Sequence, residues 1–311
     1  MSIPYLSQSD LEALGLSTQQ IVDSVKDVIK GSSEGRVWSA PKAAFAPPDD
    51  DRYMMAALAA MDGPSLLAVK TVVLNPENTA NGLPQINGLV TMLDSVTGLP
   101  VAILDGNWIT AVRTAGLSAT AATYLARKDA STIGFVGCGV QARSHFDAFA
   151  DLFPLEQMKM FGRGQANMDL LAERARANGL SVETCESGQA VADSVDLLVT
   201  TVTHTGGAEP FLDASTMKPG SFATVVDLAA PWKRESFGAL DLVCVDDLVQ
   251  EKALQNKLCN PNHITGDLSG LVLGTSTARS DPAERSAFVF RGHALGDLAL
   301  SSLAWQAHQN A

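Results

Sequence analysis

Residues 133–142, I-G-F-V-G-C-G-V-Q-A, decide the fold. Ile133–Val136 reads as a short buried strand that breaks into a glycine turn opening a helix. In such a turn Gly137 allows the tight reversal, Gly139 lets backbone approach a pyrophosphate, and Ala142 lets helix and strand pack closely. Cys138, Val140 and Gln141 fill the intervening positions. The helix start then offers free N–H groups and a positive dipole end to phosphate. Alone, one G-x-G-x-x-A is a weak signal, because glycine turns between strand and helix are common.

Its surroundings strengthen it. Downstream the pattern predicts a strand at 157–161, a helix at 166–178, and strands near 181–184, 196–202, 222–227 and 241–245. Such alternation implies a parallel sheet covered by helices on both faces. The glycine turn is then the first strand-to-helix turn of a doubly wound domain, where a dinucleotide fingerprint belongs. Upstream, from Thr110, A-V-R-T-A-G-L-S-A-T-A-A-T-Y-L-A-R predicts one helix leading into the turn. Before it the chain is β-rich. One helix is expected in residues 1–30, with Ser17 and Gln20 as a capping box, Ile21, Val22, Val25, Val28 and Ile29 as its stripe, and Gly31 as its end. A proline-interrupted strand covers 37–45, P-P-D-D-D at 47–51 makes an acidic turn, and apolar strands cover 53–62 and 66–74. A loop at 75–84 precedes a hairpin of 85–94 with 99–105. The expected fold is α/β: a Rossmann-type doubly wound parallel sheet at 116–289, behind a β-rich α+β domain at 1–115. From the residues alone, the final helix within 287–311 has no assigned partner.

The 311 residues suit two domains, and a hydrophobic fraction of 46% with 18% charged residues is that of a globular protein. No apolar run reaches the roughly 18–20 residues that span a bilayer. The opening M-S-I-P-Y-L-S-Q-S-D has neither a basic nor an apolar leader region, and the four cysteines lack C-x-x-C spacing. A cytoplasmic protein without disulfides or a metal site is expected. A net charge of −12 argues against nucleic acid and anionic membrane as partners. A small anionic substrate would need basic residues gathered in a cleft.

Four basic residues stand out in the first domain. Lys70 sits inside an apolar run, so it either points outward from an edge or aims its charge into a cleft. Arg113 is expected near the start of its helix, where the dipole disfavours a cation unless an anion binds. Lys42 and Arg52, taken singly, also suit plain solvent-facing roles.

These residues lie in motifs that resemble the ornithine cyclodeaminase/mu-crystallin family over most of the chain. The motifs are P-K at 41–42, V-K at 69–70, G-L-P at 82–84, T-G-L-P-V-A-I-L-D-G at 97–106, I-T-A-V-R-T-A at 109–115, L-A-R-K at 125–128 and G-F-V-G-C-G-V-Q-A at 134–142. L-A-R-K and G-C-G look most like the alanine-dehydrogenase branch. The resemblance implies a homodimer joined through the β-rich domain, with the C-terminal helix, about 290–311, returning to that domain. It implies that Lys70 and Arg113 face substrate and nicotinamide. Lys42 and Arg52 match basic residues of the alanine-dehydrogenase branch, and the Arg113-Thr114 pair lies near the cofactor phosphates. Thr201 and Leu228 join Gly137–Gln141 in the expected cofactor-binding set.

One departure narrows the reaction. Cyclodeaminases of the family carry G-x-D-x-P-G-K after the fifth sheet strand, with the aspartate as acid and base. Here 226–233 reads V-D-L-A-A-P-W-K, so Ala229 takes the aspartate's place. Alanine moves no proton, and cyclodeamination is disfavoured. Asp227 either shifts into that role, contacts the nicotinamide ribose, or caps the strand end. The F-V-F-R-G-H-A-L-G-D run at 288–297 is shorter than the family pattern, which leaves Arg291 and His293 without assigned roles. The expected chemistry is hydride transfer between a nicotinamide and an imine or 2-oxo carbon. Lys70 is the proton donor or polarising group, while Lys42, Arg52 and Arg113 hold carboxylates. That many cations suit a dicarboxylate, as in the family's iminosuccinate-reducing branch, which forms L-aspartate. Alanine dehydrogenase, cyclic ketimine reductase, ornithine cyclodeaminase and a non-catalytic small-ligand-binding mu-crystallin-like protein are the alternatives. For the cofactor, Arg163 after the second strand leans toward NADP, or stacks on adenine; the resemblance implies NADH.

Overall fold

Ser17 does cap a helix. Its hydroxyl accepts from the Gln20 backbone N–H while the Gln20 side chain accepts from the Ser17 N–H, so two of the orphan donors at the helix start are satisfied. The structure is a computed structural model that describes residues 3–48, 50–203 and 209–311. Asp49, inside the acidic turn expected at 47–51, lies outside the described residues. The chain divides into two units, Met1–Arg113 with His293–Ala311, and Thr114–Gly292.

The first unit opens with β1 (Tyr5–Leu6) and a short helix α1 (Gln8–Ala13), which precede the Ser17-capped helix α2 (Thr18–Ser33). Two helices therefore stand where one was expected. Gly31 does not end α2. A Cβ there would lie 2.7 Å from Val37 Cγ2, so its bareness lets the next strand approach, and Gly35, at φ +75°, ends the helix instead. Strands β2 (Val37–Ser39), β3 (Ala43–Phe45), β4 (Tyr53–Met61), β5 (Leu66–Leu74), β6 (Ile86–Leu93) and β7 (Pro100–Asp105) follow. They form a sheet in the order β1-β7-β6-β5-β4-β2, with β3 also on β4. Along β5, Leu66, Ala68 and Lys70 are the buried positions, the period of two expected of a strand with one covered face. Helix α3 (Gly106–Leu125) begins in this unit and ends in the second.

In the second unit, β8 (Thr132–Val136), α4 (Val140–Leu152), β9 (Gln157–Phe161), α5 (Gln165–Ala177), β10 (Ser181–Thr184), α6 (Gly188–Ala192), β11 (Leu197–Thr200) and β12 (Phe222–Val225) form the doubly wound part. Strand β13 (Leu242–Val245), helix α7 (Leu248–Ala253), β14 (Gly266–Asp267), helix α8 (Leu268–Leu273) and β15 (Ser286–Val289) complete it. The sheet runs β10-β9-β8-β11-β12-β15-β13-β14, and every pairing is parallel. The α/β reading thus holds, but β15 was not foreseen: its wholly buried S-A-F-V run slots between β12 and β13. A continuous apolar run shows no alternation to distinguish it from buried helix. After it the chain returns to the first unit as α9 (Ala294–Gln309), which packs on α2, β4 and β5. Among the described residues no helix is long and apolar enough to cross a membrane.

A buried polar chain ties three elements of the second unit. His145 on α4 approaches the Gln141 carbonyl with Nδ1 at 2.7 Å and the Ser118 hydroxyl with Nε2 at 2.8 Å, and Ser118 lies 2.8 Å from the Thr224 hydroxyl. Only a proton on Nδ1 satisfies the carbonyl, so Nε2 accepts from Ser118 and Ser118 accepts from Thr224. Burial pushes the His145 pKa down to about 4. The unfolded chain therefore binds a proton that the native state refuses between about pH 6.5 and 4, and stability is lost as pH falls through that window. We expect the stability difference between the protein and its His145→Gln variant to shrink by on the order of 3 kcal/mol from pH 7 to pH 4. Urea denaturation at the two pH values measures it; a constant difference would rule the effect out.

Candidate functional site

In the first unit, four strands place one row of residues across the covered face of the sheet. Ala57 pairs with Lys70, Lys70 with Val90 and Val90 with Leu104. Lys42 lies in the break between β2 and β3, beside Ala43, which pairs with Ala56, and its charge reaches Lys70. Lys70 points inward: it is 1% exposed, and its Nζ lies 2.6 Å from Asp297 Oδ1 on α9. Arg113, 8% exposed on α3, brings Nε to 3.0 Å from the same oxygen. That contact is an ion pair without hydrogen-bond alignment, and the Arg113 Nε and Nη1 atoms are buried without a hydrogen-bond partner. Burial, then the nearby Arg113 charge, push the Lys70 pKa down to about 8 against the pull of Asp297, and Lys42 adds to the depression. Two buried cations thus share one carboxylate oxygen, and the charge of Lys42 reaches Lys70. The cluster has room in its charge balance for an anion.

Helix α3 starts at Gly106, seven residues before Arg113. Arg113 therefore sits about two turns inside the helix, beyond the reach of the end dipole, and the conflict expected there does not arise. Arg52 is not brought to the cluster. It precedes β4 by one residue, five positions or about 17 Å of strand from Ala57. Its Nε instead donates to Asp50 Oδ2 at 2.6 Å in an exposed ion pair. His293 caps α9, accepting from the Leu295 N–H at 3.1 Å, and Arg291 pairs with Glu251 at 2.8 Å within the second unit. Asp297 was missed altogether. Its signal was present: an acid inside the apolar A-L-G-D-L-A-L stretch demands a buried partner.

The second unit carries the glycine turn. Gly137 has φ +90°, and a Cβ there would lie 2.7 Å from the Thr201 carbonyl oxygen. Its N–H donates to Phe161 O at 2.9 Å, and its carbonyl accepts from Thr201 Oγ1 at 3.0 Å. The turn is so tied to both neighbours of β8, where the strand order reverses, the place at which such sheets bind ligands. Gly139 is the N-cap of α4 with no side-chain cap, and a Cβ on it would meet nothing within 4 Å. Free N–H groups beside open space fit a pyrophosphate. Cys138 is buried, with its thiol pushed up to about 11, so it packs beneath the turn as a neutral group. Val140 and Gln141 form the first turn of α4, Val140 exposed. Thr114 is buried on α3, and Arg163 is exposed between β9 and α5 with no acid beside it.

After β12, Asp227 is buried. It accepts from the Val202 N–H at 3.0 Å and the Thr200 hydroxyl at 3.2 Å, and Trp232 Nε1 donates to Thr200 at 3.2 Å. Burial raises its pKa to about 7 despite those donors. Leu228 and Ala229 follow with φ +57° and +56°. Both are in the left-handed region, strained for side chains with a Cβ. Leu228 is exposed, whereas Ala229 is sealed in the apolar cluster that holds Trp232 and Val225. Among the described residues no group of three His, Cys, Asp or Glu could hold a metal ion.

Residues 5–310 match the Ornithine cyclodeaminase/mu-crystallin family. The alanine dehydrogenase of Archaeoglobus fulgidus is 26% identical over 316 residues, 97% of this chain and 94% of that protein. The Thermococcus litoralis Δ1-pyrroline-2-carboxylate reductase, solved in complex with NADH and L-proline, superposes with a TM-score of 0.89 at 26% identity, over 99% of this chain and 98% of that one. The iminosuccinate reductase of Paracoccus denitrificans, solved with NAD+, superposes at 0.80 with 21% identity over 99% and 97% of the two chains, a likeness of fold. A Gly137→Ala variant should weaken NADH binding at least about tenfold, because a methyl at that φ displaces the turn from Thr201. Fluorescence titration reads it, and an unchanged dissociation constant would remove the turn from cofactor binding.

Proposed function

The chain belongs to the ornithine cyclodeaminase/mu-crystallin family, and on that premise we propose that it is a nicotinamide-dependent imine reductase or amino-acid dehydrogenase whose substrate is iminosuccinate, reduced to L-aspartate. The observation that carries the reading is the charge imbalance of the buried cluster, two cations, Lys70 and Arg113, sharing the single carboxylate of Asp297. A nicotinamide dinucleotide, NADH by preference, supplies the hydride when bound to the turn at Gly137–Gln141 with Thr201, Asp227 and Leu228 beside it. The 26% identity to a reductase solved with NADH supports that choice, and Arg163 keeps NADPH as the comparison. The Arg113 Nη1, which has no hydrogen-bond partner, suits one substrate carboxylate, and Lys42, whose charge reaches Lys70, suits the second. Lys70 Nζ gives its proton to the imine nitrogen, and the neutral amine takes one back in the reverse direction. A buried lysine near pH 8 is poised for both. The reading puts the enzyme in the cytoplasm, where its four free thiols stay reduced. A cyclic ketimine as substrate is the second reading, favoured by the same pyrroline-carboxylate reductase.

The reading is tested by oxidation of NADH and of NADPH with oxaloacetate plus ammonia, pyruvate plus ammonia, and cyclic imines. Fastest turnover with oxaloacetate plus ammonia and NADH is expected, with kcat/KM falling above about pH 8 as Lys70 loses its proton. Lys70→Ala should cost about 100-fold or more. No turnover on any substrate would favour a binding protein, and ammonia released from ornithine without added cofactor would favour a cyclodeaminase.

We also infer a homodimer. The uncovered face of the first unit's sheet exposes Phe45, Leu58, Val73 and Leu89, and Phe45, Met54, Val73 and Leu89 line one groove on it. A second copy covers such a patch by the symmetry of most oligomers. Light scattering should give twice the chain mass, and a Val73→Asp/Leu89→Asp variant should give the single mass. A monomeric parent protein would refute the dimer.

A further inference from the structure

Asp297 has no place in the reaction as derived so far, yet it touches both groups that have one. We propose that Asp297 is a positioning residue: one carboxylate oxygen, shared by Lys70 and Arg113, fixes where the Lys70 ammonium points and holds Arg113 turned so that its other N–H groups face an incoming anion. This rests on the imine-reductase reading above. The geometry is specific, with Oδ1 at 2.6 Å from Lys70 Nζ and 3.0 Å from Arg113 Nε, on an acid that is itself 4% exposed.

Stability does not account for the cluster as a whole. The helix neighbours Leu295, Leu298 and Ala299 are buried and apolar. Once Lys70 and Arg113 are buried the acid is needed, but replacing such a charged cluster entire by packed apolar groups is often neutral or stabilising. Here the charges do not even balance, since two contacting cations share one anion. What the arrangement provides is orientation. The other elements beside Lys70 bring no charge opposite it: β4 offers Ala57 and β6 offers Val90. The charges that act most strongly on Lys70 are Asp297 from α9, Arg113 from α3, and Lys42 from the segment before β3. Of these, Asp297 is the one that favours the charged ammonium. Removing its charge leaves Lys70 facing two cations, and its proton leaves at lower pH.

The decisive variant is Asp297→Asn, which keeps shape and removes charge. In the free protein, 15N NMR of the lysine side chains, with Lys70→Ala to assign the signal, should show Lys70 titrating about one unit or more lower than in the parent. In turnover, the alkaline limb of kcat/KM should shift down by the same amount, with kcat falling more than KM rises. Asp297→Glu should keep the limb near its parent position while kcat falls, because charge is retained and reach is altered. Where Asp297→Asn is recovered unfolded, Asp297→Glu carries the test, and kinetics identical to the parent overturn the proposal. A folded Asp297→Asn with an unmoved Lys70 titration overturns it also. The NMR titration needs no substrate, so failure of the imine-reductase reading, seen as no turnover by the parent protein, is told apart from failure here.

Discussion

One carboxylate oxygen shared by an ammonium and a guanidinium organises the first unit. Burying Lys70 and Arg113 without Asp297 would leave two desolvated cations side by side, a cost of several kcal/mol that no apolar contact offsets. The chain must therefore deliver an acid to that spot, and it does so from 227 residues downstream of Lys70. That demand explains why the chain comes back to its first unit after building the second, and why α9 carries a charge in the middle of its buried stretch. The same shortage of negative charge is what makes the cluster receptive to an anion.

The second unit is governed by a different constraint, backbone geometry. Gly137 must reverse the chain within hydrogen-bonding reach of both β9 and β11, and only a residue without a Cβ fits against Thr201. The neighbouring crossover after β12 accepts strain instead. Leu228 and Ala229 hold left-handed backbone with side chains present, while Asp227 is kept beneath them by Thr200 and Val202. Such strain persists where surrounding contacts over-determine it. Ala229 is also sealed among apolar side chains, so position 229 offers neither a proton nor an opening through which one could pass.

Where local chemistry decided, the sequence was legible. The Ser17 capping box, the hairpin strands of the first sheet and the glycine turn all depend on neighbours a few residues away, and each stands where its residues put it. What depended on distant partners was not legible. Gly31 reads as a helix end until Val37 is seen to press on it. The β15 run carries no alternation because both its faces are buried. Lys70 could be read as outward or inward until its acid was known, and the acid lay on a helix with no assigned partner. Arg52 shows the converse: a basic residue among aspartates is most simply their counter-ion, and that is where it sits.

The position of β15 bears on how the protein is made. The strand lies between β12 and β13, so during synthesis those two earlier strands emerge with a gap that nothing yet fills. The helix that completes the first unit comes later still, at Ala294–Gln309. Neither unit can close domain by domain as it leaves the ribosome; both wait for the same two dozen residues, from Ser286 to Gln309. Until then an apolar sheet face and an open strand slot coexist on one nascent chain. Such surfaces make incomplete chains prone to aggregate. The last segment is thus a shared latch, and truncating it would disable two folding events at once.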